Sequence, residues 1–147
     1  MQRRSAEPWY EDAAAALKEE QEGRFRDDAE LGRIVARELP FYFAHYGERE
    51  QAFVRMALEQ PMHAAALRYF NAHEFLAFDL RPALLRVSAP TLVIAGQDDF
   101  ILGPETCREV AEGISNSSFK VIPDVGHIPW VESPADFALT VKAFLDR

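Results

Sequence analysis

The apolar positions of this chain change their period near residue 78. Up to that point they recur at helical spacing, and beyond it short apolar runs alternate with helical stretches. A first helix is predicted over residues 8–22, opened by Pro8, alanine-rich in its middle and stopped by Gly23. A second begins where Asp27 and Glu30 have the spacing of a capping box, with Leu31, Ile34 and Val35 as its apolar face. Pro40 interrupts the pattern. Residues 41–46 then form the densest aromatic patch of the chain, ended by Gly47. Helical spacing resumes with Phe53, Met56 and Ala57, breaks at Pro61, and returns with Leu67 and Phe70 before Asn71. Roughly four or five helices are expected ahead of the first strand.

The second half reads differently. Asp79 is placed to cap a short helix carrying Leu84 and Leu85. Residues 91–95, set between Pro90 and Gly96, read as a strand buried on both faces. Asp98 and Asp99 follow its carboxyl end, Asp98 reading as a turn residue. A helix comes next, with Cys107, Val110, Ala111 and Ile114 on one face, Pro104 in its first turn and Gly113 near its end. A second strand over residues 118–122 leads through Pro123 to Gly126 and His127. The last helix, with Ser133 as cap, Pro134 in the first turn and Asp136 completing the capping pattern, is expected to bury Phe137, Val141, Phe144 and Leu145 against the sheet.

Strand, helix, strand in that order is a right-handed crossover between parallel neighbours, so the loops leaving both carboxyl ends emerge on one edge of the sheet. Asp99 and His127 are therefore expected to meet. A buried carboxylate bonded to one imidazole nitrogen sets the tautomer and leaves the other nitrogen to act as a general base. That pair is two parts of a nucleophile, histidine and acid triad.

The run Pro90-Thr-Leu-Val-Ile-Ala-Gly96, an Asp three residues beyond that glycine, the Gly126-His127 pair and Glu132-Ser-Pro-x-x-Phe137 together resemble the carboxyl-terminal part of the α/β-hydrolase family. The resemblance covers residues 79–147 and implies that Asp99 is the triad acid and His127 the base. Upstream, the helical stretch is similar to the cap of proline iminopeptidase-like hydrolases. The expected fold is α/β, a partial α/β-hydrolase fold with a helical cap over residues 1–78 followed by a parallel strand-helix-strand-helix unit over 79–147. The resemblance also implies an ester or amide substrate, a small molecule or a short peptide with an amino-terminal proline, and no cofactor or metal.

The family's nucleophile sits on a strained turn flanked by small residues, with the signature G-x-S-x-G. No two of the seven glycines stand four apart. Neither is there an HGGG-type stretch to supply oxyanion-hole donors. A strand covered on both faces also needs neighbours beyond two. The expectation is thus a carboxyl-terminal half of a serine hydrolase, with Met1 inside or just before the cap, that needs either the missing amino-terminal half or self-association to cover its sheet. The other reading is a non-catalytic assembly module that docks through its sheet edge.

Composition narrows the picture at a few points. With 147 residues, 48% of them hydrophobic and 27% charged, the chain has one domain's worth of core. Its net charge of −8 argues against nucleic acid. The single cysteine, Cys107, excludes an internal disulfide and reads as core, and no CxxC or HxxxH pattern offers a metal site. No run approaches the roughly 18 apolar residues of a membrane span, and the first ten lack a signal peptide's apolar centre, so a cytoplasmic setting is expected. Phe41, Tyr42 and Tyr46, with Trp9, Tyr10 and Phe43, are candidates for lining a substrate pocket, although core packing of the cap is the plainer account. Glu48, Glu50 and Glu74 are candidates for gripping a substrate amino group, although a solvated helix face is the plainer account. His45, His63 and His73 read as structural.

Overall fold

The computed structural model describes residues 4–75, 77 and 79–147. Met1 and Phe78, where the expected start and boundary of the cap fall, lie outside the described residues. The chain forms two compact units, Met1–Phe41 with Gln51–Phe78, and Tyr42–Glu50 with Asp79–Arg147. The aromatic segment Tyr42–Glu50 thus groups with the strands and not with the helices on either side of it in sequence.

The first unit is helical. Helices α1 (Tyr10–Gln21), α2 (Asp28–Glu38) and α4 (Ala64–His73) belong to it, as does most of α3 (Glu48–Ala57). The Asp27 side chain accepts the Glu30 N–H at 2.8 Å, an N-cap that satisfies one of the orphan donors of the first turn. Asp28 does the same for α4 from a distance, accepting the Ala64 N–H at 2.8 Å. Ala16, Phe25, Leu31, Ile34 and Ala64 form the core, with Val35, Met62 and Leu67 packed against it. α1 starts two residues beyond Pro8, and a 3-10 turn over Leu39–Tyr42 follows α2 where Pro40 interrupts the helical ladder.

The second unit carries a two-stranded parallel sheet, β1 (Thr91–Gly96) paired with β2 (Ser117–Ile122) in a register that runs from Thr91 opposite Ser117 to Gly96 opposite Ile122. Between them lies α5 (Gly103–Gly113), with Pro104 in its first turn, where a missing N–H costs nothing. Two short pieces and a longer one complete the unit: a 3-10 helix over Arg81–Arg86, α6 (Pro129–Glu132) and α7 (Pro134–Leu145).

Four expectations differ from the structure. Residues 91–94 of β1 are half-buried and only Ala95 and Gly96 are fully covered, because among the described residues β1 pairs with β2 alone. Leu145 is 73% exposed and Leu139 65%, so α7 buries only part of its apolar surface, through Phe137, Val141 and Phe144. The Ser133 hydroxyl donates to Asp136 Oδ2 at 2.6 Å and makes no capping bond to the backbone of α7. Asp79 accepts the Arg81 N–H at 3.0 Å, two residues ahead, but the short helix that follows is a 3-10 helix whose N-cap position is Leu80. Among the described residues no helix is long and apolar enough to cross a membrane.

Candidate active site

The two loops at the carboxyl ends of the strands are tied together through their backbones. The Gln97 N–H donates to the Ile122 carbonyl and the Asp98 N–H to the Val125 carbonyl, each at 2.9 Å, so the loop of Asp99 and the loop of His127 run as one ribbon past the sheet edge. Close approach makes this possible. A Cβ at Gly96 would overlap the carbonyl oxygens of Val125 and Gly126, and one at Gly126 would lie 2.5 Å from the Tyr42 oxygen. Asp124 makes the turn between them with φ 55°, the left-handed region that short polar side chains tolerate best among residues with a Cβ.

On this frame His127 Nδ1 stands 3.0 Å from Asp99 Oδ2. The Asp99 side chain is 6% exposed and that of His127 29%, so the acid is hidden and the imidazole is reachable. Asp99 Oδ1 accepts the N–H groups of Ile101 and Leu102 at 2.8 and 3.3 Å. Burial, the largest single influence, pushes the Asp99 carboxyl up. The hydrogen bonds from His127, Ile101 and Leu102, together with the charge His127 can carry, outweigh it and hold the carboxyl below its ordinary value. Asp99 is therefore an anion at neutral pH. An anion there accepts a hydrogen bond from Nδ1–H, and in the neutral ring this leaves the lone pair on Nε2. Such a ring can take a proton from a hydroxyl at Nε2 while the carboxylate stabilises the imidazolium that forms.

The remaining candidates are distributed as follows. The Tyr42 ring meets the imidazole edge-on, with centroids 5.5 Å apart and planes at 77°, and the Tyr42 carbonyl accepts the His127 N–H at 2.6 Å. Tyr46 stacks on Phe43 at 5.9 Å. Phe41 is a core position of the helical unit, 1% exposed, with the rings of Trp9 and Tyr10 each edge-on at 5.4 Å. Glu50 is 8% exposed and accepts the Gly47 N–H at 3.0 Å, a local cap of α3 and not the solvated face expected, whereas Glu48 and Glu74 are exposed.

Cys107 is half-buried, and burial, then the negative charge of Asp99, push its thiol up, away from the thiolate a nucleophile requires. The Ser117 hydroxyl donates to the Ala111 carbonyl at 2.6 Å, and Ser118 Oγ accepts from Arg147 at 2.7 Å. Among the described residues no group of three or more His, Cys, Asp or Glu is arranged to hold a metal ion. One residue near the histidine stands in the sequence only as part of the Glu132-Ser-Pro-x-x-Phe137 pattern: Glu132, whose carboxylate accepts the N–H groups of Gly126 and Ala44. Nothing in the sequence marks Ala44 as its partner.

Comparison with known proteins bears on most of the chain. Residues 3–140 match the model of the "Alpha/beta hydrolase family". A 2-hydroxy-6-oxo-6-(2'-aminophenyl)hexa-2,4-dienoic acid hydrolase of Metapseudomonas resinovorans is 34% identical over 86 residues, 58% of this chain and 29% of that protein. A putative carbamate hydrolase RutD of Variovorax paradoxus (strain S110) is 32% identical over 120 residues, 81% of this chain and 39% of its own length. Among solved structures, the enol-lactonase from Burkholderia xenovorans LB400 superposes with a TM-score of 0.65 at 30% identity, covering 96% of this chain and 51% of that one. The chain thus spans about half, or less, of the length of these relatives.

Proposed function

Because the chain belongs to the alpha/beta hydrolase family, we propose that it supplies the acid and base of a serine hydrolase whose nucleophile comes from outside these 147 residues. The observation that carries this reading is the contact of His127 Nδ1 with Asp99 Oδ2 at 3.0 Å, made at the carboxyl ends of neighbouring parallel strands. In the complete site a serine hydroxyl attacks the substrate carbonyl and gives its proton to His127 Nε2. His127 returns a proton to the leaving group, and water then repeats the sequence on the acyl intermediate, with Asp99 holding the ring throughout. Tyr42 and Tyr46 are the substrate-facing aromatic residues of the reading.

The substrate class is an ester or amide carbonyl. The enol-lactonase and the putative carbamate hydrolase among the relatives are named for bonds of that kind. Within the class, the cap resemblance points to an amino-terminal proline amide. The chain alone is inactive in this reading, since it holds no G-x-S-x-G turn. Its partner is either an amino-terminal segment of the same fold or a second copy, laid on the open edge of β1 and the exposed apolar residues Leu139 and Leu145. The proposed setting is the cytoplasm, which fractionation of the native cell tests.

The deciding experiment adds candidate amino-terminal segments containing G-x-S-x-G to the purified chain and measures fluorophosphonate labelling of serine, followed by turnover of nitrophenyl esters and proline nitroanilide. Labelling that appears on mixing and is lost in His127→Ala is the expected result. Labelling indifferent to His127→Ala, or full esterase turnover by the chain alone, overturns the proposal.

A further inference from the structure

The imidazole of a catalytic histidine is only as well aimed as the loop beneath it, and the loop of His127 is held by an unusual fastening. Glu132, at the end of α6, reaches back to accept the Gly126 N–H on Oε1 at 2.8 Å, while its Oε2 accepts the Ala44 N–H at 2.6 Å. One carboxylate thereby joins the residue before His127 to a segment more than eighty positions away in sequence. The His127 N–H donates to the Tyr42 carbonyl at 2.6 Å alongside, and the Arg49 guanidinium donates to the Glu132 carbonyl at 3.2 Å from the same segment. The missing side chain of Gly126 lets the two backbones come this near, since a Cβ there would lie 2.8 Å from the Ala44 nitrogen.

We propose that Glu132 is a positioning residue, whose carboxylate clamps Gly126 to Ala44 and so aims the His127 imidazole at Asp99 and the Tyr42 ring. The inference rests on the reading of His127 as the base. Its chemical logic is that both partners are N–H donors, so the group between them must accept on both sides. Ionised carboxylate does this, whereas a carboxamide offers one acceptor and sets its own NH₂ against the second donor. Burial pushes the Glu132 carboxyl up, and the backbone N–H groups of Ala44, Gly126, Ile128 and His45 pull it part of the way back. Those donors form the anion's solvation in place of water, and they are the same groups that fix the loop.

The readout is the tautomer of His127 in the intact chain, followed by long-range proton–nitrogen correlation with ¹⁵N-histidine under conditions where the ring is neutral. A free imidazole favours the proton on Nε2, and pairing with Asp99 moves it to Nδ1. In Glu132→Gln the Nδ1–H form is expected to lose about three- to tenfold in population relative to Nε2–H, the factor one net hydrogen bond is worth, with the helical circular dichroism retained. Glu132→Asp, still an acceptor but one methylene short, is expected to fall between the two. A folded Glu132→Gln with an unchanged tautomer ratio overturns the inference. Should Glu132→Gln fail to fold, Glu132→Asp decides: a displaced Ala44 or Gly126 amide resonance beside an unmoved imidazole signal overturns it equally. A wild-type chain whose His127 carries its proton on Nε2 instead removes the pairing with Asp99, and with it the reading of His127 as base, whatever the variants do.

Discussion

Gly96, the last residue of β1, lies directly against the Gly126 carbonyl, so that no side chain fits between the end of the strand and the loop of His127. The contact is backbone to backbone, and nothing flexible can move aside. Gly96→Ala is therefore expected to destabilise the chain by about 2–3 kcal/mol, the usual cost of forcing a methyl group into a packed site. It should also separate the Gln97 and Asp98 N–H groups from Ile122 and Val125. Denaturant unfolding gives the first quantity, and amide exchange at Gln97 and Asp98 the second.

Asp99→Asn tests the electrostatic half of the site. The carboxamide keeps the shape but turns an N–H toward Nδ1, which favours the opposite tautomer and leaves no carboxylate to stabilise the imidazolium. In a reconstituted hydrolase the expected loss of turnover is on the order of 10⁴-fold. Stability responds to pH with a definite sign. Because the folded Asp99 carboxyl lies below its ordinary value, its contribution is complete above that value and is lost as the pH falls through the folded one. Asp99→Asn is thus expected to lessen the acid sensitivity of unfolding, which melting curves across the acid range measure.

Glu38 supplies a pH response of the other sign. It is 4% exposed at the end of α2, its Oε2 has no hydrogen-bond partner among the described residues, and burial, with the nearby charge of Glu20, pushes its carboxyl up to about 7. In the unfolded chain it ionises near 4.5. Between those values the unfolded chain gives up its proton first, so stability present in mild acid is lost as the pH rises through the folded value, by about 3 kcal/mol at most. Glu38→Gln removes the titration. Its stability is expected to exceed wild type by about 1–3 kcal/mol above roughly pH 8 and to vary less between mild acid and neutrality. Urea unfolding at a series of pH values checks both.

The contrast between these residues shows how far the sequence could be read. Punctuation by Pro90, Gly96, Pro104 and Gly113 marks the strand, helix and strand because each acts on its own backbone. The nearness of Asp99 to His127 follows from topology, since a right-handed parallel crossover leaves their loops nowhere else to go. What Glu132 touches was not legible, because its partner Ala44 is supplied by a segment whose own aromatic pattern reads as part of the helical region. The burial of Glu38 was hidden for a related reason: a glutamate in the last turn of an amphipathic helix ordinarily faces water. The half-exposed state of β1 illustrates the converse, for a run of Leu92, Val93 and Ile94 reports how much cover a strand suits and not how much it has.

Asp124 isolates the backbone from every other influence on the His127 loop. Its side chain is exposed, yet its φ of 55° belongs to the left-handed region, where a β-branched side chain crowds the neighbouring carbonyl. Asp124→Val is therefore expected to cost about 1–2 kcal/mol without removing any buried contact. Asp124→Gly, which has no Cβ to crowd, should stay within about 1 kcal/mol of wild type, the freer unfolded chain opposing the relief of strain. Unfolding by urea, with the slope unchanged between variants, measures both. Because the turn at Asp124 delivers the Val125 carbonyl to the Asp98 N–H, the valine variant is also expected to loosen the His127 imidazole from Asp99, seen as faster solvent exchange of the Nδ1 proton. If Asp124→Val left both stability and that proton unmoved, the loop would owe its shape to its neighbours and not to this residue's backbone.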